Sequence, residues 1–378
     1  GLVYMLRLDG TLGDSARVAM DTSAAVVGIS ALPQPYEFLI TMSDGTVALT
    51  GNIPGPSPDG HFLAVRASSA IAGPAVMTGG TGPSDPPRIA YATSSGDLYL
   101  TDFTLRAMNG FPVSTGTTIS QPPAFADIDG DGVRDVVVFS GGRVCAYHTN
   151  GASIDYFPAT LSTSAPIVSA PVIADVDGDG VPEIVAATSD GLIGAFTRNG
   201  KMAPGFPLAA GSGNQDVAVS NLSSGTTAAG KALIVVSSQD GGVHAWRTYA
   251  GSVTAADPWP QYQEDALHSG ELLSAPPGGT PVSAEFMPKD RVYNWPNPVY
   301  QTRTYIRYYV SENAAVHIKI FTQAGDLVTE FPGPGTGGLD NEVAWDVSGV
   351  QSGIYFARVE ADGASASQVR IIKIAVVR

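Results

Sequence analysis

Two stretches, Asp127-Ile-Asp-Gly-Asp-Gly-Val-Arg-Asp135 and Asp175-Val-Asp-Gly-Asp-Gly-Val-Pro-Glu183, repeat one acidic pattern within the chain. Each is followed by an apolar run, a glycine turn and a second apolar run, which cover 136–147 in the first copy and 184–196 in the second. Two apolar runs separated by a glycine turn are typical of a β-hairpin. The two stretches therefore mark two copies of one β-structural unit.

The second strand of this unit occurs six times along the chain, and the copies at Gly1, Gly45, Gly96 and Gly242 lack the acidic pattern. It starts at Gly1, Gly45, Gly96, Gly142, Gly191 and Gly242, at spacings between 44 and 51 residues. A blade of four short strands with tight turns needs roughly 40 to 50 residues, so this period favours a β-propeller over a helical repeat. We predict about six blades, or seven. Because the chain opens inside a strand pattern, we expect the N-terminal blade to be incomplete and upstream sequence to complete it.

The repeat of strand patterns stops near residue 272. Ser274–Pro281 is rich in turn-forming residues. Five strand patterns then follow, at 304–310, 315–321, 342–346, 353–359 and 369–376. Spaced strands of this kind suit a β-sandwich. We therefore predict an all-β chain with a β-propeller at 1–272, a linker at 273–290 and an immunoglobulin-like (Ig-like) β-sandwich at 291–378.

The composition fits this architecture and limits the partners. Gly contributes 44 residues and Pro 28, a mixture that suits short strands and tight turns. The formal net charge of −15 would repel nucleic acid and anionic membrane surfaces. No run approaches the ~20 apolar residues that a membrane-spanning helix needs, so we expect no transmembrane segment. Cys145 is the single cysteine, which excludes a disulfide within the chain.

The acidic stretches predict two structural calcium sites. Their carboxylates at positions 1, 3, 5 and 9 crowd negative charge that a cation would relieve. Calcium takes six to eight oxygen ligands, a glycine at position 6 lets such a loop turn tightly, and position 7 supplies a backbone carbonyl. The predicted ligands are Asp127, Asp129, Asp131, Val133 and Asp135 in the first loop, and Asp175, Asp177, Asp179, Val181 and Glu183 in the second.

Two other interpretations of these loops stay open beside calcium. The simplest is a pair of solvated acidic turns without metal. Magnesium is the second, although its small octahedron usually keeps several waters and needs fewer carboxylates. An EF-hand is excluded, because its twelfth position requires a Glu, whereas Val138 and Ala186 stand there at the start of apolar strands.

The acidic loops resemble those of FG-GAP/VCBS repeats, the β-propeller type of the integrin α subunit. The resemblance covers roughly residues 20–270, with the acidic motif in two of the units. It implies a structural Ca²⁺ in each motif loop, which in that family lies between the outer strands of a blade. The corresponding stretches at 76–85 and 219–224 lack the series of carboxylates, so the resemblance implies no metal there.

The C-terminal part resembles another group of domains. Tyr293-Asn-Trp-Pro-Asn-Pro298, Trp345-Asp346 and Ser352-Gly-Ile-Tyr-Phe-Ala-Arg358 are similar to the FlgD-type Ig-like domain and to the C-terminal sorting domains of type IX secretion substrates. The resemblance covers about residues 291–378, and 372–378 depart from the usual sorting tail. It implies a sandwich fold in a bacterial protein that is extracellular or attached to the cell surface.

No catalytic pattern accompanies these motifs. His61, His148, His244, His268 and His317 stand far apart, without the His-x-x-x-His pair of a zinc site. The sequence has no Gly-x-Ser-x-Gly nucleophile turn and no phosphate-binding Gly-Lys-Ser/Thr loop. We therefore expect a chain that is not an enzyme.

Three functions are compatible with these features. The first is a non-catalytic, calcium-stabilised binding or adhesion module whose partner is a glycan or protein on a cell surface or matrix. The second is a structural accessory region of a larger secreted enzyme, such as a peptidase or a polysaccharide-degrading enzyme. The third is a propeller polysaccharide lyase, which would need a cleft with convergent Lys, Arg, Tyr or His.

Overall fold

A computed structural model gives the fold of the chain. It describes residues 2–6, 12–17, 24–31, 36–51, 62–79, 86–210, 219–226, 232–238, 242–248, 259–264, 270–272 and 285–377. These residues divide into two compact units. The first takes the described residues up to 272, except for 155–160 and 199–202, which group with 285–377 in the second. The described residues form β-strands and one short 3-10 turn, Lys289–Arg291, and no α-helix.

Twenty-two of the strands precede residue 273, and their bounds follow in chain order. They are β1 (Leu2–Leu6), β2 (Leu12–Arg17), β3 (Val26–Ala31), β4 (Tyr36–Met42), β5 (Thr46–Gly51), β6 (Phe62–Arg66), β7 (Val76–Thr78), β8 (Arg88–Ala92), β9 (Asp97–Thr101), β10 (Val113–Ser114), β11 (Ala124–Ala126), β12 (Asp135–Ser140), β13 (Arg143–Tyr147), β14 (Ala159–Thr160), β15 (Val172–Ala174), β16 (Glu183–Ala187), β17 (Leu192–Phe196), β18 (Leu208–Ala209), β19 (Val219–Thr226), β20 (Ala232–Ser238), β21 (Val243–Arg247) and β22 (Glu271–Leu272).

Consecutive strands of the first unit pair antiparallel into repeated sheets. The sheets β3-β4-β5-β6 and β15-β16-β17-β18 are four-stranded, β7 to β10 are paired in the same order, and β11-β12-β13 and β19-β20-β21 repeat it. First strands of neighbouring sheets contact each other, β7 with β11 and β15 with β19. Repeated antiparallel sheets whose first strands meet are the blades of a β-propeller, which confirms the predicted fold class.

The apolar runs of the sequence become the most buried strands. In β12 and β16 every residue is buried, as expected of a strand that is covered on both faces. Strand β9 alternates instead, with Leu98 and Leu100 buried and Asp97 and Tyr99 half-buried. The period of the apolar residues thus decides which strands lie deepest in a blade.

The end of the first unit returns to earlier strands. Strand β22 pairs in parallel with β7, and Trp259 forms a β-bridge with Ile173 in β15. Trp259 is 1% exposed, so its side chain is a packing anchor. These pairs join the last described residues of the unit to blades that precede them in the chain.

The second unit contains the remaining strands, which form two sheets. They are β23 (Val292–Trp295), β24 (Arg303–Val310), β25 (Ala314–Thr322), β26 (Leu327–Gly333), β27 (Leu339–Asp346), β28 (Gly353–Gly363) and β29 (Ser367–Val376). The order is β23-β24-β27 in one sheet and β26-β25-β28-β29 in the other. Residues of both sheets share one core, in which Trp345 packs edge-on against Tyr355 at 5.6 Å between ring centroids. This arrangement is the predicted Ig-like β-sandwich.

Part of the predicted linker at 273–290 belongs to the core of the sandwich. Phe286 and Met287 are 9% and 0% exposed and pack among the core residues. Treating 285–290 as linker is therefore wrong, because this apolar pair is buried against the sheets. Residues 273–284 lie outside the described residues. The boundary at 272 and the number of blades stay predictions.

Arg291 is a buried cation that should stabilise the second unit. Its Nη2 lies 2.6 Å from Oδ1 of Asp340, and its guanidinium lies 4.1 Å from the centre of the Tyr309 ring. Nη1 also donates to the carbonyl of Tyr156 at 3.0 Å. Replacing Arg291 with Ala leaves the carboxylate of Asp340, whose side chain is 13% exposed, without its charge partner. We therefore expect the free energy of unfolding to fall by about 3 kcal/mol.

Urea unfolding followed by fluorescence measures this loss. Arg303→Ala, at an exposed position on β24, is the matched control and should change the free energy of unfolding by no more than about 0.5 kcal/mol. Equal effects of the two substitutions would contradict the assignment.

Candidate metal centre

Each acidic loop connects the first two strands of its sheet. Loop 127–134 joins β11 to β12, and loop 175–182 joins β15 to β16. The register pairs Ala126 with Asp135 and Ala174 with Glu183, so the first and ninth positions of each pattern meet where the hairpin opens. The family resemblance implied a place between the outer strands of a blade, whereas each loop here joins the first and second strands, and first strands are among those that contact a neighbouring blade.

The carboxylate at the first position organises the turn of each loop. Asp127 accepts hydrogen bonds from the N–H groups of Gly130, at 2.8 Å to Oδ1, and Gly132, at 2.9 Å to Oδ2. Asp175 accepts the same pair of bonds from Gly178 and Gly180, at 2.7 and 3.1 Å. A single side chain therefore satisfies two backbone donors in each tight turn.

The glycine at the sixth position is required by its backbone conformation. Gly132 and Gly180 have φ angles of +87° and +86°. A Cβ at either position would meet nothing within 4 Å, so space does not exclude a side chain. The positive φ excludes a side chain at both positions, because L-residues with a Cβ rarely adopt it.

The third and fifth positions each accept a bond from two residues ahead. Asp129 Oδ1 accepts the N–H of Asp131, and Asp131 Oδ1 accepts the N–H of Val133, at 3.1 and 2.7 Å. In the second loop the same two bonds, from Asp179 to Asp177 and from Val181 to Asp179, have the same lengths. The two loops therefore share one backbone path. The carbonyl ligands predicted at Val133 and Val181 stay a prediction.

The ninth position is the most buried carboxylate of each loop. Asp135 is 1% exposed and accepts the N–H of Ile128 at 2.9 Å. Glu183 is 0% exposed, and its Oε2 accepts the N–H groups of Val176 and Asp177 at 2.9 and 3.3 Å. Its other oxygen, Oε1, is buried and has no hydrogen-bond partner among the described residues. A cation or a donor would satisfy such a buried acceptor in its ionised form.

Burial makes the charged form of these carboxylates costly. It raises the pKa of Asp127 to about 6, with a further contribution from the charges of Asp131 and Asp129. Burial likewise raises the pKa of Asp135 to about 7, against the opposing hydrogen bond from His148. The pKa of Glu183 rises to about 8, through burial and then the charges of Asp177 and Asp179. A bound cation would restore the ionised form of all three.

The structure brings most of the predicted ligands together. Ligand atoms of Asp127, Asp129 and Asp135 lie within 4.8 Å of one another, and so do those of Asp175, Asp177 and Glu183. Asp131 groups with Asp129 and His148, whereas Asp179 joins no such group within the described residues. These clusters could hold a metal ion. Carboxylate oxygens, a buried acceptor without a partner and a tight glycine turn fit a hard divalent cation such as calcium.

Sequence reasoning missed His148 as a residue of the first loop. Its Nδ1 lies 3.1 Å from Asp135 Oδ1, and this bond raises the pKa of His148 above its ordinary value. The signal that could have found it is the strand register. Val136 pairs with Tyr147, the last residue of β13, so His148, the residue after it, lies beside Asp135. In the second loop Ile184 pairs with Phe196, which places Thr197 at the matching position. His61 and His268 lie outside the described residues.

The fold and the two acidic loops define a β-propeller with acidic-loop repeats and a C-terminal Ig-like sandwich. Residues 127–186, which include both loops, match the family model of the FG-GAP-like repeat. Residues 293–373 match that of the secretion system C-terminal sorting domain. The chain thus carries an FG-GAP-like repeat and a type IX secretion sorting domain, and the sorting domain indicates export to the cell surface or the extracellular space.

Other comparisons give weaker likenesses. No curated protein matches the chain. Among solved structures, PorZ, a surface component of the type IX secretion system of Porphyromonas gingivalis, is 14% identical with a TM-score of 0.34, over 98% of this chain and 48% of PorZ. BamB from Moraxella catarrhalis is 15% identical with a TM-score of 0.42, over 99% and 91% of the two chains. Saccharomyces cerevisiae Sqt1 is 12% identical with a TM-score of 0.46, over 97% and 87%.

The described residues include no helix that is both long and apolar enough to cross a membrane.

The raised pKa values predict how the calcium-free chain responds to pH. An unfolded Glu loses its proton near pH 4.5, whereas folded Glu183 keeps it to about pH 8. Between these values the folded state binds the extra proton, so its free energy of unfolding falls as pH rises. Asp127 and Asp135 act in the same direction, and so does His148, whose folded pKa is also raised.

We expect a loss on the order of 3 kcal/mol between pH 5 and pH 8 in EDTA, measured by urea unfolding. Saturating calcium should abolish the loss, because it stabilises the ionised carboxylates. Glu183→Gln should reduce the slope in EDTA. A calcium-free chain that becomes more stable toward pH 8 would show that these carboxylates are not buried as described.

Proposed function

We propose that the chain is a non-catalytic, calcium-stabilised binding or adhesion module of a protein exported to the cell surface or extracellular space. The observation that carries the proposal is the buried Oε1 of Glu183, which has no hydrogen-bond partner among the residues that the structure describes and lies beside the carboxylates of Asp175 and Asp177. An acidic turn that served only as a solvated loop would expose its charges. Here the ninth carboxylate is buried in both loops.

Calcium suits these loops better than magnesium does. Four carboxylates stand at positions 1, 3, 5 and 9 of each nine-residue pattern, and they are the hard oxygen ligands that calcium accepts in large number. Magnesium demands a small regular octahedron and holds on to its waters, so a carboxylate-rich loop matches it less well. The loop residues would hold the cation, and the cation would supply the charge that stabilises their ionised form.

The role that we assign to calcium is structural. All the ligand candidates of a site come from one hairpin loop, apart from His148 beside the first. Such a site ties two adjacent strands of a blade together and needs no open position for a substrate. The partner would then be a glycan or a protein that contacts the propeller, and the net charge of −15 disfavours nucleic acid.

Calcium binding is tested by titration calorimetry and thermal unfolding of the whole chain. We expect two calcium ions per chain. Asp177→Ala should remove one of these ions. It should also lower the unfolding temperature measured in calcium by the part that the second loop contributes, because the remaining carboxylates repel one another without the ion. In EDTA the substitution should have little effect or should stabilise slightly.

Glu330→Ala is the matched control, since it removes one exposed negative charge on β26 of the second unit, outside both acidic clusters. It should leave both ions bound. If Asp177→Ala left the metal count and the unfolding temperature unchanged, the calcium assignment would be lost.

The binding role is tested on an array of glycans and cell-surface polysaccharides and proteins, in parallel with calcium and with EDTA. We expect specific binding that requires calcium, since the loops would order the blades that form the binding surface. Absence of binding in both conditions would oppose the adhesion role and favour a structural accessory region of a larger secreted enzyme. Depolymerisation of an arrayed polysaccharide would instead support a lyase.

A further inference from the structure

A groove runs along one side of the sandwich, between the edge strands of its two sheets. It has a volume of about 590 Å³ and is lined by residues 292–294 of β23 and 369–373 of β29, together with Lys289 and Asn297. Both β23 and β29 stand at the end of their sheets. We call this feature the edge groove. It lies wholly within the second unit.

The backbone of β29 is open along the edge groove. Toward the end of the strand, Val299 pairs with it, through Val299 N–H to Ala375 O at 2.7 Å and Val377 N–H to Val299 O at 2.9 Å. Odd-numbered residues of β29 therefore direct their N–H and C=O away from β28. Lys373 O already accepts Asn297 Nδ2 at 2.9 Å, and Val369 O accepts Arg370 Nη1 at 3.2 Å.

The remaining outward groups have no partner within the described part of the chain. They are the N–H groups of Val369, Ile371 and Lys373 and the carbonyl of Ile371. A row of this kind is a template for pairing with another extended segment. The template is about one short strand long, and it ends where residues 297–299 cover β29.

The side chains beside the template are apolar and basic. Val369 and Ile371 are 40% and 63% exposed. Lys289, Arg370 and Lys373 line the groove, and no Asp or Glu is among its lining residues. Arg370 is partly neutralised, because its Nη2 lies 3.0 Å from Glu285 Oε1. In a chain with a net charge of −15, this basic groove is a local reversal of sign that favours an acidic partner.

We propose that the edge groove binds an extended acidic peptide, which adds as a strand to the open part of β29. The peptide backbone would pair with Val369, Ile371 and Lys373. Alternate acidic side chains would lie on the face that carries Ile371 and Lys373 and would pair with Lys373, while Lys289 adds positive charge along the groove. The intervening apolar side chains would lie on the opposite face, toward Ile372. A second copy of this chain is a poorer occupant, because two β29 edges would place Arg370 and Lys373 of each copy against the same cations of the other.

The probe is a fluorescein-labelled peptide, Thr-Glu-Val-Glu-Val-Glu-Thr, titrated with the full chain and followed by fluorescence anisotropy. We expect saturable binding that weakens as salt rises. The same peptide with Lys in place of Glu should not bind measurably. In the complex, hydrogen exchange at the Ile371 amide should slow.

Two kinds of variant separate backbone pairing from charge. Ile371→Pro removes one outward donor and leaves the pairing with β28 intact, so it should weaken binding about fivefold. Ile371→Val keeps the donor and should bind as the natural chain does. The double variant Lys289→Glu with Lys373→Glu should weaken binding about tenfold. Arg303→Glu, an exposed charge reversal at the start of β24, should change it less than twofold.

Unfolding temperatures show which variants remain folded, and the charge variants decide the question if Ile371→Pro does not fold. Equal affinity for the acidic and basic peptides would overturn the proposal. So would binding that neither Ile371→Pro nor the double charge reversal weakens. A concentration-dependent dimer in sedimentation that Ile371→Pro abolishes would assign the edge to self-association instead.

Discussion

The buried carboxylate at the ninth loop position is the constraint on which the rest of the candidate site depends. Asp135 and Glu183 begin strands β12 and β16, so the strand register fixes their backbone while their side chains reach back to the loop. Each accepts the N–H of the loop's second residue, Ile128 or Val176. The loop is thereby closed onto its own strand, and its other carboxylates are held close to a buried negative group. Desolvation and like-charge repulsion then act together, and a cation is the simplest way to offset both.

The two loops are equivalent in backbone and different in chemistry. Asp135 has both oxygens engaged, one by Ile128 and one by His148. The longer side chain of Glu183 lets a single oxygen accept two N–H groups, which leaves Oε1 without a partner in the described residues. The second loop therefore presents a carboxylate oxygen ready for a cation. In the first loop the corresponding oxygens must share their lone pairs with existing donors, so one acidic pattern yields two inequivalent sites.

Sequence reasoning succeeded where the determinants are local. The positions of the acidic residues and glycines determine the turn, and the spacing of the apolar residues determines where the strands lie. Both depend on neighbours within about ten residues. It failed where distant residues meet. His148 reaches Asp135 only through the pairing of β12 with β13, and β22 reaches β7 from the far end of the first unit. Phe286 and Met287 were assigned to a linker because they follow a Pro/Gly-rich stretch, and their burial depends on strands that come later in the chain.

The two units are stabilised by different interactions, and only the first contains candidate cation sites among the described residues. The acidic clusters of the described residues all lie in the first unit. The sandwich is held instead by a continuous apolar core and by the buried pair of Arg291 with Asp340. Neither requires a metal ion. If calcium fills the acidic loops as proposed, the sandwich keeps its fold where calcium is scarce, while the blades with those loops gain stability only where calcium is abundant.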